Sequence, residues 1–438
     1  MYRASTYQMR SGWNAMLPPR ICRPALNGKL SVDHAVVGAG FTGLAVARRL
    51  KELEPETDIL IIDGGTVGEN ASGRNSGFSG SDLPTVSMAS ASRADASADA
   101  LSKQNVIAVF DAEGLAWLKD LVARYGIDCG LRQVGSFKAA VSERAAAALL
   151  RMSESASTQG RTLPVYKQDA LEELTGTCFY RLAIRSESTH LFQPAALVRG
   201  LADHLPSDIV FHEGTTVSNI EKVGERWHLT CPQARISARN VILANNAFVK
   251  LLGYGKDRLV SLFTYVGVTE RLGNRARLLG SLPEWGMTSA QRAGGSTLRR
   301  LSDGRCMIRS LYSYEAELKE SVIRRRLLDR FRRRYPHLAD IDFEYVWGGV
   351  TDVTRGGAPF WGELEQGLFI SAGYNGSGVA KGTALGRRLA ELVAGKVAQE
   401  TVTGPLGRPG WLPPEPFRFV GVRGTAMYEE FRAGADAT

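Results

Sequence analysis

The stretch DHAVVGAGFTGLAVARRL, beginning at Asp33, constrains this chain more than any other. Gly38, Gly40 and Gly43 stand in a GxGxxG frame. The apolar run 33–37 precedes them, and 41–52 follows with helical spacing. A second apolar run, DILIIDGG (58–65), carries Asp63 at its end, twenty residues after Gly43. Small residues where a strand turns into a helix let the backbone approach a pyrophosphate, and the helix N-terminus favours its negative charge. An acid closing the next strand can accept hydrogen bonds from ribose hydroxyls. The unit predicts the opening of an α/β fold and a bound dinucleotide.

The bulk of the sequence narrows the class. At 438 residues the chain is long enough for two domains with a sizeable core. The formal charge of +9 is a mild basic excess that does not require acidic partners. The one strongly basic stretch, RRRLLDRFRRRYPHL, carries Leu327, Leu328 and Phe331 as an apolar stripe. Its arginines therefore read as the solvated face of a helix, 319–334, rather than a nucleic-acid patch. The five cysteines, Cys22, Cys129, Cys178, Cys231 and Cys306, are scattered and form no CxxC. This predicts a reduced intracellular protein without a disulfide framework. No apolar run is long enough to span a bilayer, and the N-terminus has no signal-peptide core. The expected location is the cytoplasm. The six histidines show no metal-ligand spacing, and no GxSxG is present.

Further elements follow along the chain. Residues 1–32 read as an arm that can pack Trp13, Met16 and Leu17 on the body. GENASGRNSGFSGSDLP (68–84) is dense in Gly, Ser and Asn. Residues 99–125 have helical periodicity, 130–142 alternate like a strand, and PAALVRGLADHL (194–205) opens a helix with proline. DIVFHEGTTVSNIEKV, RWHLTCPQ and ISARNVILANNAF predict a meander ending in a buried strand and a polar turn. Late in the chain, Leu368–Ala372 predicts a buried strand, followed by a glycine loop and a helix from about Val379. A helix N-terminus there can face a developing negative charge. The segment from 401 is expected to wrap the surface.

The nucleotide unit, ASGRNSGF, ANNAF and AGYNGSGVAKGTALG occur in that order. Together they resemble the D-amino-acid oxidase/glycine oxidase/sarcosine oxidase superfamily of FAD enzymes, nearest the gamma-glutamylputrescine oxidase branch. The resemblance covers roughly residues 10–400. It implies an α/β fold with a Rossmann-like FAD-binding domain of the glutathione-reductase type, a βαβ unit with a β-meander. A substrate domain on a mostly antiparallel sheet would be interleaved with it. The implied division is an arm (1–32), an FAD domain (33–85, 193–250 and 341–400), a substrate domain (86–192 and 251–340) and a tail (401–438).

Carried onto this chain, the resemblance places Gly38, Gly40 and Gly43 at the FAD pyrophosphate, with Phe41 and Thr42 beside it, and Asp63 and Gly64 at the adenine ribose. Ser72, Gly73, Arg74, Asn75, Ser76 and Gly77 would run along the pyrophosphate and the inner flavin face. Val217 would cradle adenine through its backbone, and Asn245 would sit near the ribityl chain. Gly376, Ser377, Gly378 and Val379 would point N–H groups at the N1/C2 edge of the flavin, with Gly349, Gly373 and Asn375 completing the surroundings. Relatives often carry His where this chain has Ser377. The last cysteine, Cys306, stands well before the position used for covalent attachment in monomeric sarcosine oxidases, so non-covalent FAD is expected.

A second departure concerns the substrate. The place where alpha-amino-acid oxidases of the superfamily carry a carboxylate-clamping Arg falls at Thr351. Arg309, in CMIRSLYSY, can supply the fork instead, with Arg299 and Arg300 as competitors. Arg309, Tyr312, Tyr265 and Thr351 are the candidate catalytic residues. Phe78, Tyr314, Trp347 and Tyr374 join Tyr312 and Tyr265 as candidate aromatic walls. No lysine is assigned beside flavin N5.

The implied chemistry is hydride transfer from the carbon next to a neutral amine to flavin N5. Oxygen or another acceptor then reoxidises the flavin. The expected partners are a small amine and that acceptor, with no nucleic acid and no membrane span. Three classes stay open: an amine or amino-acid oxidoreductase, a tailoring oxidase of a secondary or cyclic amine, and a non-catalytic flavin-binding subunit. DLPTVSM (82–88) is expected near the flavin entrance.

Overall fold

The fold is built around Gly28–Val37, the strand that feeds the first glycine loop. It pairs in parallel with Ile59–Ile62 on one side and Ala234–Leu243 on the other. Val210–His212 extends the sheet beyond Ile59–Ile62. The hairpin Asn219–Val223 and Arg226–Thr230 lies antiparallel along the first half of Ala234–Leu243, and Leu368–Ala372 pairs in parallel with its last residues. Phe360–Glu365 closes that edge. Ile59–Ile62 is buried throughout, as expected of a parallel strand covered on both faces. The computed structural model describes residues 7–80, 83, 98–290 and 295–437. Apart from Leu83, DLPTVSM lies outside these residues.

One face of this sheet packs on the helices Phe41–Leu53 and Ala380–Val393, and the other on residues of the meander, including Trp227 and Leu229. The turn into Phe41–Leu53 is very tight. A Cβ at Gly43 would lie 1.8 Å from the carbonyl oxygen of Gly38. Gly38 itself has φ +109°, and a Cβ there would lie 2.8 Å from Ala244 O. These two positions admit no side chain without backbone displacement.

A second, mostly antiparallel sheet of eight strands runs in the order Phe343–Thr354, Leu259–Thr269, Cys306–Tyr314, Thr297–Arg300, Trp285–Ser289, Ser136–Ala140, Leu182–Ser186, Val165–Lys167. The helix Glu320–Arg334 buries Ile323, Leu327, Leu328 and Phe331, so the apolar stripe of the basic segment is its core face. Strand Cys306–Tyr314 departs from regular pairing. Tyr265 faces Ser310 and Thr264 faces Tyr312, leaving Leu311 as the extra residue, with φ +63°. This is a β-bulge.

Two boundaries differ from the sequence reading. The strand expected over 33–37 begins at Gly28, because Gly28 to Val32 pair with Ala234 to Ala238 beyond the end of Ile59–Ile62. This portion has one half-exposed flank and carries polar residues, so its sequence lacks a buried-strand signature. The segment from 401 contains two helices, Glu400–Leu406 and Phe417–Ala433. The arm packs as expected. Trp13 is 2% exposed, its Nε1 donates to Asn75 O at 2.8 Å, and its ring meets Trp347 edge-on at 5.8 Å. No helix among the described residues is long and apolar enough to cross a membrane.

Gly43→Ala is expected to prevent correct folding of the nucleotide unit. Relieving a 1.8 Å contact with backbone requires main-chain movement, at a cost above the ~1–3 kcal/mol of ordinary overpacking. Thermal unfolding followed by circular dichroism checks this. An unchanged melting temperature would contradict the packing described.

Candidate functional site

One cavity is lined by residues of both sheets. The first glycine loop contributes Gly40, Phe41 and Thr42. The following loop contributes Ala71, Ser72, Arg74, Asn75 and Ser76, and the late loop contributes Asn375 to Ala380. From the antiparallel sheet come Lys138, Thr264, Thr297, Arg309, Tyr312 and Gly349 to Thr351. Residues more than 300 positions apart thus share one space.

The features of the cavity suit a dinucleotide with a flavin. Neither Phe41–Leu53 nor Ala380–Val393 has a side-chain N-cap. The first-turn N–H groups of a helix have no intrahelical acceptor, so both ends offer donors and positive potential. At the second helix the Asp111 carboxylate accepts the Lys381 N–H. Outside the lining, between Ala244 and Asn246, Asn245 Oδ1 is buried with no protein partner among the described residues. Ser72 Oγ accepts the Phe41 N–H at 3.2 Å, tying the two phosphate-side loops together.

Several of the expected cofactor residues act through the protein frame. Asp63 is 8% exposed. Its Oδ2 accepts the Ala39 N–H at 2.8 Å, and its Oδ1 accepts Gly65 N–H at 2.8 Å and Asn70 Nδ2 at 3.2 Å. Three bonds to two oxygens leave one acceptor site for a ribose hydroxyl. Burial holds this carboxyl above its ordinary range. Arg74 gives its guanidinium to Glu69 O, Gly348 O and Met9 O and stacks on Tyr7 at 3.8 Å. Its head is committed to protein, and its stem borders the cavity. Asn375 donates to Gly357 O and Gly373 O and accepts the Thr354 N–H at 2.8 Å. It holds the late loop in shape with φ +56°.

Gly38, Gly43, Asp63, Gly64, Gly73, Gly77, Gly373, Val217 and Asn245 do not line the cavity. Gly38 and Gly43 sit in the tight turn behind it, and Gly64 abuts Thr216. Gly73 O accepts Ser11 Oγ and Gly77 O accepts Arg299 Nη1. Gly373 N–H reaches Asn246 Oδ1, and Val217 is buried beside the meander. Asn246 and Ala244, the neighbours of Asn245, border the cavity instead.

Among the catalytic candidates, the bulge decides the geometry. Residues three apart on a regular strand point to opposite faces. With Leu311 inserted, Arg309 and Tyr312 share one face, and Arg309 Nη1 donates to Tyr312 Oη at 2.8 Å. Arg309 also reaches Thr264 Oγ1 at 3.3 Å and Thr297 Oγ1 at 3.1 Å. These partners are neutral hydroxyls. Thr351 borders the same cavity two strands away.

Tyr265 departs from expectation. It is fully buried, bonded through Oη to Ser313 Oγ at 2.5 Å and Leu318 N at 2.8 Å, and lies outside the cavity. It alternates with Thr264, whose side borders the cavity, so its ring points to the opposite face of the sheet. Trp347 is likewise core, with Nε1 on Arg74 O, and Tyr314 contacts Phe419. Phe78, Tyr312 and Tyr374 are the aromatic residues that remain as walls from the expected set. Arg299 pairs with Glu284 at 3.1 Å and Arg300 bonds Gly280 O and Leu282 O, so neither competes with Arg309.

Asp111 and Lys138 were not anticipated. Asp111 lies on the 98–125 helix at i, i+4 and i+7 to the buried Leu115 and Leu118. An acid on that apolar face was a readable signal. Lys138 sits within SFKAA, a strand buried at every position. Burial raises the Asp111 carboxyl to about 6, opposed by Lys381 and its N–H. Asp352, behind the cavity with Oδ1 on Ser261 Oγ, is also raised to about 6, by burial against the pull of Lys250.

The chain was compared with known proteins. A family model described as FAD dependent oxidoreductase (DAO) matches residues 33–392. The chain is 27% identical over 401 residues to the probable oxidoreductase OrdL of Rhizobium meliloti (strain 1021), covering 88% of each chain. It is 26% identical over 383 residues to gamma-glutamylputrescine oxidoreductase of Escherichia coli (strain K12), covering 84% of this chain and 85% of that one. The solved structure of glycine oxidase from Geobacillus kaustophilus superposes with a TM-score of 0.69 at 21% identity, covering 84% of this chain and 96% of that one.

A carboxyl raised on folding lends stability below its unfolded pKa of about 4 and loses it as pH rises through the folded value. Unfolding free energy measured by urea denaturation is expected to fall between about pH 4 and 6. Asp352→Asn, which keeps a bond to Ser261, is expected to flatten that fall. An identical pH profile in the variant would contradict it.

Proposed function

The chain belongs to the DAO family of FAD-dependent oxidoreductases, and on that premise we propose that it oxidises the C–N bond of a small amine or amino acid that carries an acidic group. The observation that carries this reading is Arg309. It is a guanidinium in the cavity whose partners among the described residues are three hydroxyls and no carboxylate. A charged fork held by neutral groups keeps its attraction for an anion, and a bidentate carboxylate suits it best. Lys138 adds a second basic side chain to the same lining.

When bound, FAD would supply the two-electron acceptor for oxidation of the C–N bond of the substrate. The residues of the chain do the rest. Gly40 to Thr42 and Asn375 to Ala380 would hold the two ends of FAD, and the first-turn N–H groups of Ala380–Val393 that Asp111 does not take would be donors toward it. Arg309 anchors the acidic group of the substrate. Because Arg309 donates into the Tyr312 oxygen, the phenolic proton is directed to a substrate acceptor. Phe78 and Tyr374 exclude water from the reacting carbon. No cysteine lines the cavity among the described residues; Cys306 begins the strand that carries Arg309 but is fully buried outside the lining, which supports non-covalent attachment.

The purified protein is expected to be yellow, with flavin released into the supernatant by acid. Anaerobic addition of amines that carry a carboxylate should bleach the flavin, and the same amines without it should not. Arg309→Ala is expected to raise KM for the acidic substrate by the cost of unpairing a desolvated charge, about 2–5 kcal/mol or roughly 30- to several-thousand-fold. Arg309→Lys should recover part of it. Equal bleaching by uncharged amines, with Arg309→Ala unaffected, would overturn the anion-binding role. A protein bleached by no amine would favour a flavin-binding subunit.

A further inference from the structure

The helix Phe417–Ala433 has its polarity reversed relative to the body it lies on. Its inward positions include Arg418 and Glu429, each 8% exposed. Arg418 donates to Lys256 O and pairs with Glu415, and beyond the helix Asp436 accepts the N–H groups of Val141 and Ser142. Outward it presents Phe417, Val420, Met427, Tyr428 and Phe431, exposed by 57–85%. An amphipathic helix ordinarily turns its apolar stripe to the core. Here the stripe faces away, and the segment lies beyond the part matched by the family model, which ends at residue 392.

The stripe has two further properties. First, its pattern is a palindrome about Gly424: Phe417 and Phe431 stand seven residues to either side, and Val420 and Tyr428 four. Gly421 and Met427 occupy the positions three to either side. A Cβ at Gly421 or Gly424 would meet nothing within 4 Å. An antiparallel copy of the same helix, centred on Gly424, would set Phe417 over Phe431, Val420 over Tyr428 and Met427 over Gly421. The two glycine backbones would meet at the axis. This is the self-complementarity that a two-fold contact requires. Second, with side chains of this size the five residues expose on the order of 700 Å². That exceeds the few hundred Å² of a usual exposed patch and approaches the roughly 800 Å² that each partner buries in a standard interface.

We infer that this face is the dimer interface of the protein. Two chains associate through antiparallel Phe417–Ala433 helices related by a two-fold axis at Gly424. The occupant is a second copy because spacing symmetric about Gly424 lets the same sequence, running the other way, seat each large side chain on an apolar residue or a glycine, and the exposed area approaches what one partner buries in a standard interface. A generic apolar partner would not require it. A lipid surface would be matched by a cationic flank, whereas residues 417–433 carry Arg418, Arg423 and Arg432 against Glu429 and Glu430.

Sedimentation velocity of the full chain at micromolar concentration should give twice the mass of one chain. The double variant Phe417→Glu/Phe431→Glu should give the single mass with an unchanged flavin spectrum. In a Cys22→Ser/Cys178→Ser background, Gly424→Cys should cross-link its own copy on oxidation. Thr425→Cys, turned off the stripe, should not. A single-mass wild type, a dimer that survives the double variant, or equal cross-linking of both cysteines would each overturn the inference. A single-mass protein that co-sediments with anionic vesicles would overturn it in favour of a membrane surface.

Discussion

The contact between the turn at Gly38–Gly43 and the end of strand Ala234–Leu243 is the constraint on which the remainder depends. Two chain segments two hundred residues apart meet with no room for a side chain at Gly38, and Gly43 is in turn packed against the Gly38 carbonyl. Because they meet, the N-terminus of helix Phe41–Leu53 points into the cavity rather than into a side-chain layer. The same closeness brings Ser72 Oγ to the Phe41 N–H and lets Asp63 reach back to Ala39. The carboxylate that a sequence reading assigns to a ribose therefore also braces the loop that would hold the phosphates. A loop whose shape is set by the protein needs little reorganisation when an anion binds.

A second set of bonds joins this unit to the antiparallel sheet. Arg74 donates to Gly348 of the sheet and to Met9 of the arm, while its own carbonyl accepts Trp347 Nε1. Trp13 fills the space between Asn75 and Trp347. The arm thus acts as a wedge that fixes the cofactor-side loop against the sheet bearing Arg309 and Tyr312. Removing water from these contacts is what makes them stiff, since buried donors must be matched to acceptors. The spacing between Arg309 and the loops at 71–76 and 375–380 follows from this wedge.

The glycine unit, the strand end at Asp63, the ASGRNSG loop and the late AGYNGSG loop were legible as local structure because backbone sterics and short-range order set them. The Arg309–Tyr312 pair was legible as residues but not as a pair. The period-2 rule sends them to opposite faces, and only the Leu311 bulge cancels it. Tyr265 lies in the core by ordinary alternation, since its neighbour Thr264 takes the cavity face, and which face that is depends on the other sheet. Asn245 was placed one residue from Asn246, which borders the cavity, within a turn whose φ values no periodicity predicts. Lys138 and Asp111 were passed over because a charged residue inside an apolar segment reads as a lapse in pattern until the neighbouring element is known.

By itself the sequence determined that this chain carries a GxGxxG turn between a strand and a helix, a second glycine loop ahead of a late helix and no arginine at position 351. These properties live in residue types at fixed short spacings, and local sterics decide them. Tertiary structure alone decided which arginine serves the cavity, which aromatic rings wall it, and that the helix Phe417–Ala433 turns its apolar side to solvent. Each depends on strand register or on what packs against an element, and those are set by the whole chain rather than by any segment of it.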